Sequence, residues 1–460
     1  MRKFLIYFSF LAHFLLFFSN NSFAAIGFDI NNDDLPKSKI LIYGFNVEDV
    51  RIKKDVEKIL LQIKENLLST NLFEIIDSNN YLKYFEARKQ NFPNPEDLML
   101  AIDKIPDFDK YLSSGIDSIL IVDFRFNEVE SRLESKIRLW DILDERQLFG
   151  KYYTSAYDRY KKMSNLVSNE IFKSLTGEKI GHFDTQILYV AESGNPRNRR
   201  KRIAIMDFDG ENHYYLTDGA DLVLTPIFSG KKQEIIFLRY FRDKPQLFYL
   251  DLDNKFISKL SNVKETTFAP AAHPLNSDLL LFSVIESGNA NIFEMNRYNN
   301  RVTKITSRRG INTTPSYSPD GNKIAFSSDR YGSEKIYVMN YDGSNVKKIS
   351  KGGGSYSKPI WSPDGSLIAF TKIQANRFYI GVMAPDGSSE RTISSGYLVE
   401  GAKWSPNSRY LIYSKKKSPY GKSSIPKLYI SDIITGYERM LNTPKMEGAT
   451  DPDWGLNWQD

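Results

Sequence analysis

A chain of 460 residues, 41% apolar and 26% charged, has room for two or more packed domains, and this composition excludes disorder on a large scale. Its formal charge of +6 is spread along the chain, and the single basic cluster, Arg197 to Arg202, falls in a predicted loop between strands, unlike the concentrated basic stripe of a nucleic-acid binder. The absence of cysteine excludes structural disulfides, thiol nucleophiles and Cys-ligated zinc.

Residues 1–24 have the three parts of a secretory signal: Met1-Arg2-Lys3, an apolar run from Phe4 to Phe18, and a polar stretch ending in Ser22-Phe23-Ala24. The apolar run is shorter than the roughly 18 to 20 residues a spanning helix needs, so cleavage after Ala24 and export are expected, with no membrane span afterwards. Loss of Arg2 and Lys3, in a segment without acidic residues, leaves a charge of about +4. Residues 25–38 read as a flexible N-terminal segment. In it Ile26, Phe28 and Ile30 alternate as in an extended peptide that adds to a partner's sheet edge, and they are candidate partner-binding residues.

Residues 39–178 read as a small α/β domain. Ile40 to Phe45 forms a buried strand, and Val56, Ile59, Leu60, Ile63 and Leu67 recur at helical spacing. Ile75 and Ile76 mark a short strand; a stretch containing Pro93 and Pro95 follows, then strands over Ser118 to Phe124, Arg132 to Asp141 and Gln147 to Thr154, the last two joined at Asp144-Glu145. A closing helix is predicted from about Asp158 to Leu175, its apolar face formed by Tyr160, Met163, Val167, Ile171 and Leu175, with Gly177 as its stop.

Beyond Ile180 the helical period disappears. Ser318-Pro319-Asp320-Gly321 suits a type I turn, and Lys323 to Ser328 after it alternates as a half-buried strand. The unit recurs at Ser362-Pro363-Asp364-Gly365 and, degraded, at Ser405-Pro406-Asn407, with intervals of 44 and 43 residues between the turn prolines. A second series of turns, at Asp209, Asp253, Asn299, Asp342, Asp386 and Thr435, is spaced 44, 46, 43, 44 and 49 residues apart. Strand patterning with this period predicts a six-bladed β-propeller over 179–460. Five repeats open on an inner strand, four of them led by proline, as at Thr225-Pro226, Ala269-Pro270 and Thr314-Pro315. The first repeat lacks one, and Thr450-Asp451-Pro452-Asp453-Trp454 at the C-terminus supplies it; the expected fold is therefore two-domain, a small N-terminal α/β domain followed by a six-bladed propeller closed by the C-terminal strand.

Catalytic patterns are missing. There is no Gly-x-Ser-x-Gly elbow for an exported propeller peptidase, and the α/β region is too short for a full hydrolase domain. Gly421-Lys422-Ser423 lacks the upstream glycine of a phosphate loop, and His182, His213 and His273 form no zinc-type pair. The recurrent Asp320, Asp329, Asp342, Asp364 and Asp386 read as turn and blade residues, so no metal or cofactor is expected. A glycan-binding propeller would use Tyr317, Trp361 and Trp404 as exposed platforms, though aromatics at equivalent inner-strand positions also suit packing between blades.

An export signal, a small α/β domain, the junction Leu175-Thr176-Gly177-Glu178-Lys179-Ile180-Gly181-His182-Phe183-Asp184-Thr185, Arg138-Leu139-Trp140-Asp141 and six blades with Ser-Pro-Asp-Gly turns together resemble the TolB family, the periplasmic component of the Tol-Pal system. The sequence departs from that pattern at His273-Pro274-Leu275-Asn276, where the third blade's turn belongs, and at Ile42-Tyr43-Gly44-Phe45, where a proline commonly precedes the phenylalanine. The resemblance implies a non-enzymatic periplasmic adaptor that docks the lipoprotein Pal on its propeller and communicates with TolA through its N-terminal region, in outer-membrane integrity and constriction during cell division. It places Pal at the channel mouth formed by loops leading into the inner strands, with Thr266, Ala269 and Thr313 as the first contacts expected.

Overall fold

The computed structural model describes residues 36–44, 50–77, 102–156, 159–195, 198–230, 233–260, 263–421 and 424–457. Ile26, Phe28, Ile30 and the signal segment therefore lie outside the described residues, as do Pro93 and Pro95.

The α/β part is a five-stranded sheet built from β1 (Ser38–Gly44), β2 (Phe73–Asp77), β3 (Ser118–Asn127), β4 (Arg132–Asp141) and β5 (Arg146–Ala156) in the order β2-β1-β3-β4-β5. β1 runs parallel to β2 and β3, and β3 to β5 form an antiparallel meander. Two long helices, α1 (Val50–Leu68) and α3 (Tyr160–Thr176), cover one face, while the short α2 (Phe108–Leu112) supplies the buried Tyr111 to the other. The helical spacing in the sequence is the packing face: Val56, Ile59, Ile63, Leu67, Met163, Val167 and Ile171 are buried in one cluster with Ile40, Leu120 and Val122 of the sheet. Gly177 ends α3 in the left-handed region at φ 77°, its N–H donating to the Lys173 carbonyl.

Six four-stranded sheets follow, and the C-terminal strand Gly448–Leu456 pairs antiparallel with Thr185–Ser193 as the inner strand of the first blade. The first blade is thus assembled from both ends of the propeller, which leaves no open seam. The Ser318 turn forms as its residues require: Gly321 N–H donates to the Ser318 carbonyl at 2.8 Å, and Asp320 accepts from Asn322 N–H at 3.1 Å. Where the third blade departs from this turn, the His273 Nδ1 accepts from Leu275 and Asn276 N–H, both at 3.1 Å, and so holds the turn by a different pair of bonds. The other edge of that ring needs Gly321, since a Cβ there would stand 2.4 Å from the His273 Nε2.

Lys323–Ser328 is not half-buried: every residue after Lys323 is buried. Ile324 and Phe326 pack with Leu281 and Ile292 of the preceding blade, whereas Ala325 packs with Ile368 and Phe370 of the following one. A blade is sandwiched between neighbours, so both of its faces are core.

The α/β part is packed onto blades 1 and 6 through the junction. His182 is 3% exposed and stacks among Phe183, Tyr410 and Phe172 at centroid distances of 4.2, 4.5 and 5.1 Å. Burial, reinforced by the Arg439 and Arg409 guanidiniums, holds its imidazole well below the usual histidine range and therefore neutral. Gly181 is required beside it because a Cβ would overlap the Asn169 side chain, whose Oδ1 accepts from Phe183 N–H at 3.0 Å. On α3, Lys161 lies 2.9 to 3.0 Å from carboxylates of Asp207, Asp209 and Glu211 in blade 1. Arg409 of blade 6 joins Glu178 at 3.4 Å and the fully buried Asp432 at 2.9 Å.

Candidate functional site

The six inner strands share one irregularity. Each breaks register with its neighbour at a bulge, and the residue at the break has a positive φ: Thr225 (45°), Ala269 (52°), Thr314 (50°), Lys358 (50°), Gly401 (71°) and Asp451 (47°). Proline follows five of them, which costs the sheet no ladder donor at the bulge. Five non-glycine residues in the left-handed region, two of them β-branched threonines, each hold roughly 1–3 kcal/mol of backbone strain. Contacts between blades support this geometry. The Thr314 and Lys358 N–H groups each donate, at 3.2 Å, to a serine hydroxyl of the preceding blade, Ser283 and Ser327.

The bulges ring a cavity of about 290 Å³ lined from all six blades. Its wall is asymmetric. Leu224, Leu238, Pro245 and Phe268 make one side apolar, with Leu238 standing where Ser283, Ser327, Thr371 and Ser414 lie in blades 3 to 6. Lys358 and Asp451 line the other side, and Glu400 pairs with Lys358 at 2.6 Å. Burial pushes the Asp451 carboxyl up, opposed by Lys358 and Lys201. Further along the channel Lys403 pairs with Asp453 at 3.2 Å, and Asp453 also accepts from Phe228 N–H at 2.9 Å, tying blades 6, 1 and 2 together. Such a channel offers an apolar recess beside a charged wall.

Of the sequence candidates, Ala269 is on the ring itself, and Thr266 is half-buried at the start of the third blade's inner strand. Thr313 is 6% exposed within its strand, and the neighbouring Thr314 lines the cavity in its place. Most of the segment expected as loop at this mouth is strand, from Thr266, Asn312, Ser355 and Leu398 onward. Lys358, Glu400 and Asp451 escaped the sequence reading, although the residue before the inner-strand proline, aligned across repeats, marks two of them. Tyr317, Trp361 and Trp404 are not exposed platforms: they are 6, 8 and 5% exposed, and their polar tips bond Glu294, the Gly365 carbonyl and the Ile360 carbonyl.

A family model described as the TolB beta propeller domain matches residues 172–457. The chain is 38% identical over 249 residues to a Tol-Pal system protein TolB of Paramagnetospirillum magneticum, covering 53% of this chain and 51% of that one. It is 36% identical over 258 residues to a protein of the same name in Pelagibacter ubique, covering 54% of each. The matched part thus spans about half the length of these relatives. A crystal structure of TolB from Acinetobacter baumannii shares the fold, with a TM-score of 0.77 at 21% identity over 91% of this chain and 97% of that chain.

Proposed function

Because the chain belongs to the TolB β-propeller family, we propose that it is a non-enzymatic periplasmic adaptor of the Tol-Pal system, which captures Pal at the channel mouth and engages TolA through its N-terminal region. The observation that carries this reading is the ring of strained bulges around a channel that is apolar on one wall and charged on the other. Strain concentrated at one mouth of a rigid scaffold pre-forms a composite surface, and pre-formed surfaces lose little on binding. The curated relatives named for the Tol-Pal system support the same assignment. Engagement of TolA rests on the family relation and on the alternating Ile26, Phe28 and Ile30.

Lys358 provides the test. Its ammonium and the Glu400 carboxylate are 41% and 39% exposed, so this pair contributes no more than about 1 kcal/mol to folding. Lys358→Glu is expected to leave the unfolding midpoint unchanged and to weaken Pal binding in calorimetric titration at least about tenfold, or about 1.4 kcal/mol. Thr266→Glu, at the rim, should act in the same direction. Unchanged affinity in both variants would remove this mouth as the docking surface.

A further inference from the structure

The joints between blades are not filled alike. Equivalent positions are fixed by a repeated backbone bond: Phe208, Leu252 and Arg297 N–H donate to the carbonyls of Thr185, Gln233 and Asp278 at 3.1, 2.8 and 2.7 Å. Between blades 2 and 3, Arg297 reaches back to Glu234 at 2.7 Å, and the two side chains, 7% and 14% exposed, plug the joint. Between blades 1 and 2 the same two positions hold Leu252 and Gln186. Leucine cannot reach the amide, and a cavity of about 260 Å³ opens instead.

Its lining is specific. Leu250 is buried on the floor, with Leu252 and Phe228 packed partly buried against the same apolar cluster, and Tyr214 lies at the edge. Gln186 is 4% exposed, and its amide makes no hydrogen bond to another described residue, which leaves a donor and an acceptor for an occupant. Lys255, exposed at the rim, has no ion-pair partner among the described residues, and the lining contains no carboxylate.

We propose that this joint is a second binding site, which takes the C-terminal residue of a peptide bearing an apolar side chain. The side chain enters the Phe228, Leu250 and Leu252 floor, the last peptide group pairs with the Gln186 amide, and the terminal carboxylate meets Lys255. A secondary amide, one negative charge and an apolar group within one residue's reach match the three features of the cavity, whose volume suits a fragment of this size. The site does not rest on the partner reading of the channel.

Saturation-transfer NMR on the full chain, with N-acetyl-L-phenylalanine as the probe, tests the proposal. Saturable binding is expected, weakened at least about tenfold when the probe's carboxylate is replaced by a carboxamide, because the replacement removes the charge-assisted contact with Lys255. Lys255→Ala should abolish the preference for the carboxylate. The double substitution Gln186→Glu with Leu252→Arg, which copies the Glu234–Arg297 plug, should abolish binding while thermal unfolding confirms the fold. Equal binding of acid and carboxamide, binding that survives the plug, or no saturable binding at all would each overturn the proposal. N-acetylmuramic acid provides the comparison with a sugar of similar amide and carboxylate chemistry; its tighter binding would overturn the peptide assignment. Should the double variant fail to fold, Lys255→Glu serves in its place and must reduce binding of the acid alone.

Discussion

Deletion of Asp451 to Asp460 is expected to abolish the cooperative unfolding transition of the propeller at ordinary temperatures, as followed by circular dichroism. The last strand supplies the whole inner edge of the first blade. It also buries Trp454 to 7% exposure, and the indole N–H donates to Thr185 Oγ1 at 2.8 Å. Loss of a buried tryptophan alone costs about 3–5 kcal/mol. The deletion also removes Asp453, which holds Phe228 N–H and Lys403, and it exposes the ladder groups of Thr185 to Leu188, which pair with Asp453 to Leu456. Total stabilities of single domains are only about 5–15 kcal/mol, so the sum reaches the stability itself. Trp454→Ala alone should lower the midpoint by several degrees without destroying the transition. A midpoint unaffected by the deletion would contradict closure by the C-terminal strand.

Removal of the Arg409 guanidinium is expected to have the largest effect of any single substitution at the junction. Its Nε and Nη2 donate to the Asp432 Oδ2 at 3.0 and 2.9 Å, and Asp432 has no exposed side-chain surface. Arg409→Met strands that carboxylate in the interior, for an expected loss of about 3–5 kcal/mol in urea unfolding. It also severs the link to Glu178 that ties blade 6 to the end of α3. Adding Asp432→Asn should recover part of the loss, because the two residues act as a unit. A loss below about 1 kcal/mol would show that the pair is solvated and that the junction is held by the His182 aromatic cluster and the Lys161 ion pairs instead.

The fold was legible because it rests on period and punctuation. Prolines 44 and 43 residues apart locate the blades, and the inner strand absent from the first repeat and present at the C-terminus implies the closure. Gly177 announced the end of α3 for a backbone reason alone. Side-chain environment was less accessible, since it depends on the neighbouring blade rather than on the strand itself. Alternation in Lys323–Ser328 reads as one wet face, but the next blade covers that face. Thr313 reads as a loop residue, but the inner strand begins before it. In the third blade the turn persists without aspartate because a histidine nitrogen accepts from a different pair of N–H groups, those of Leu275 and Asn276. The candidate site was half visible: the proline-led strands marked the ring, while its charged wall depends on Lys358, Glu400 and Asp451 from three different repeats.

The role proposed for the whole chain is tested most directly by affinity capture from a cell-envelope extract, using the chain from Ala25 onward and a second form lacking Ala25 to Lys37. Both forms are expected to retain a peptidoglycan-linked lipoprotein, Pal, and only the longer one to retain TolA. An eluate without the lipoprotein, or one in which a bound peptide has been cleaved, would contradict an adaptor that works by docking at its channel.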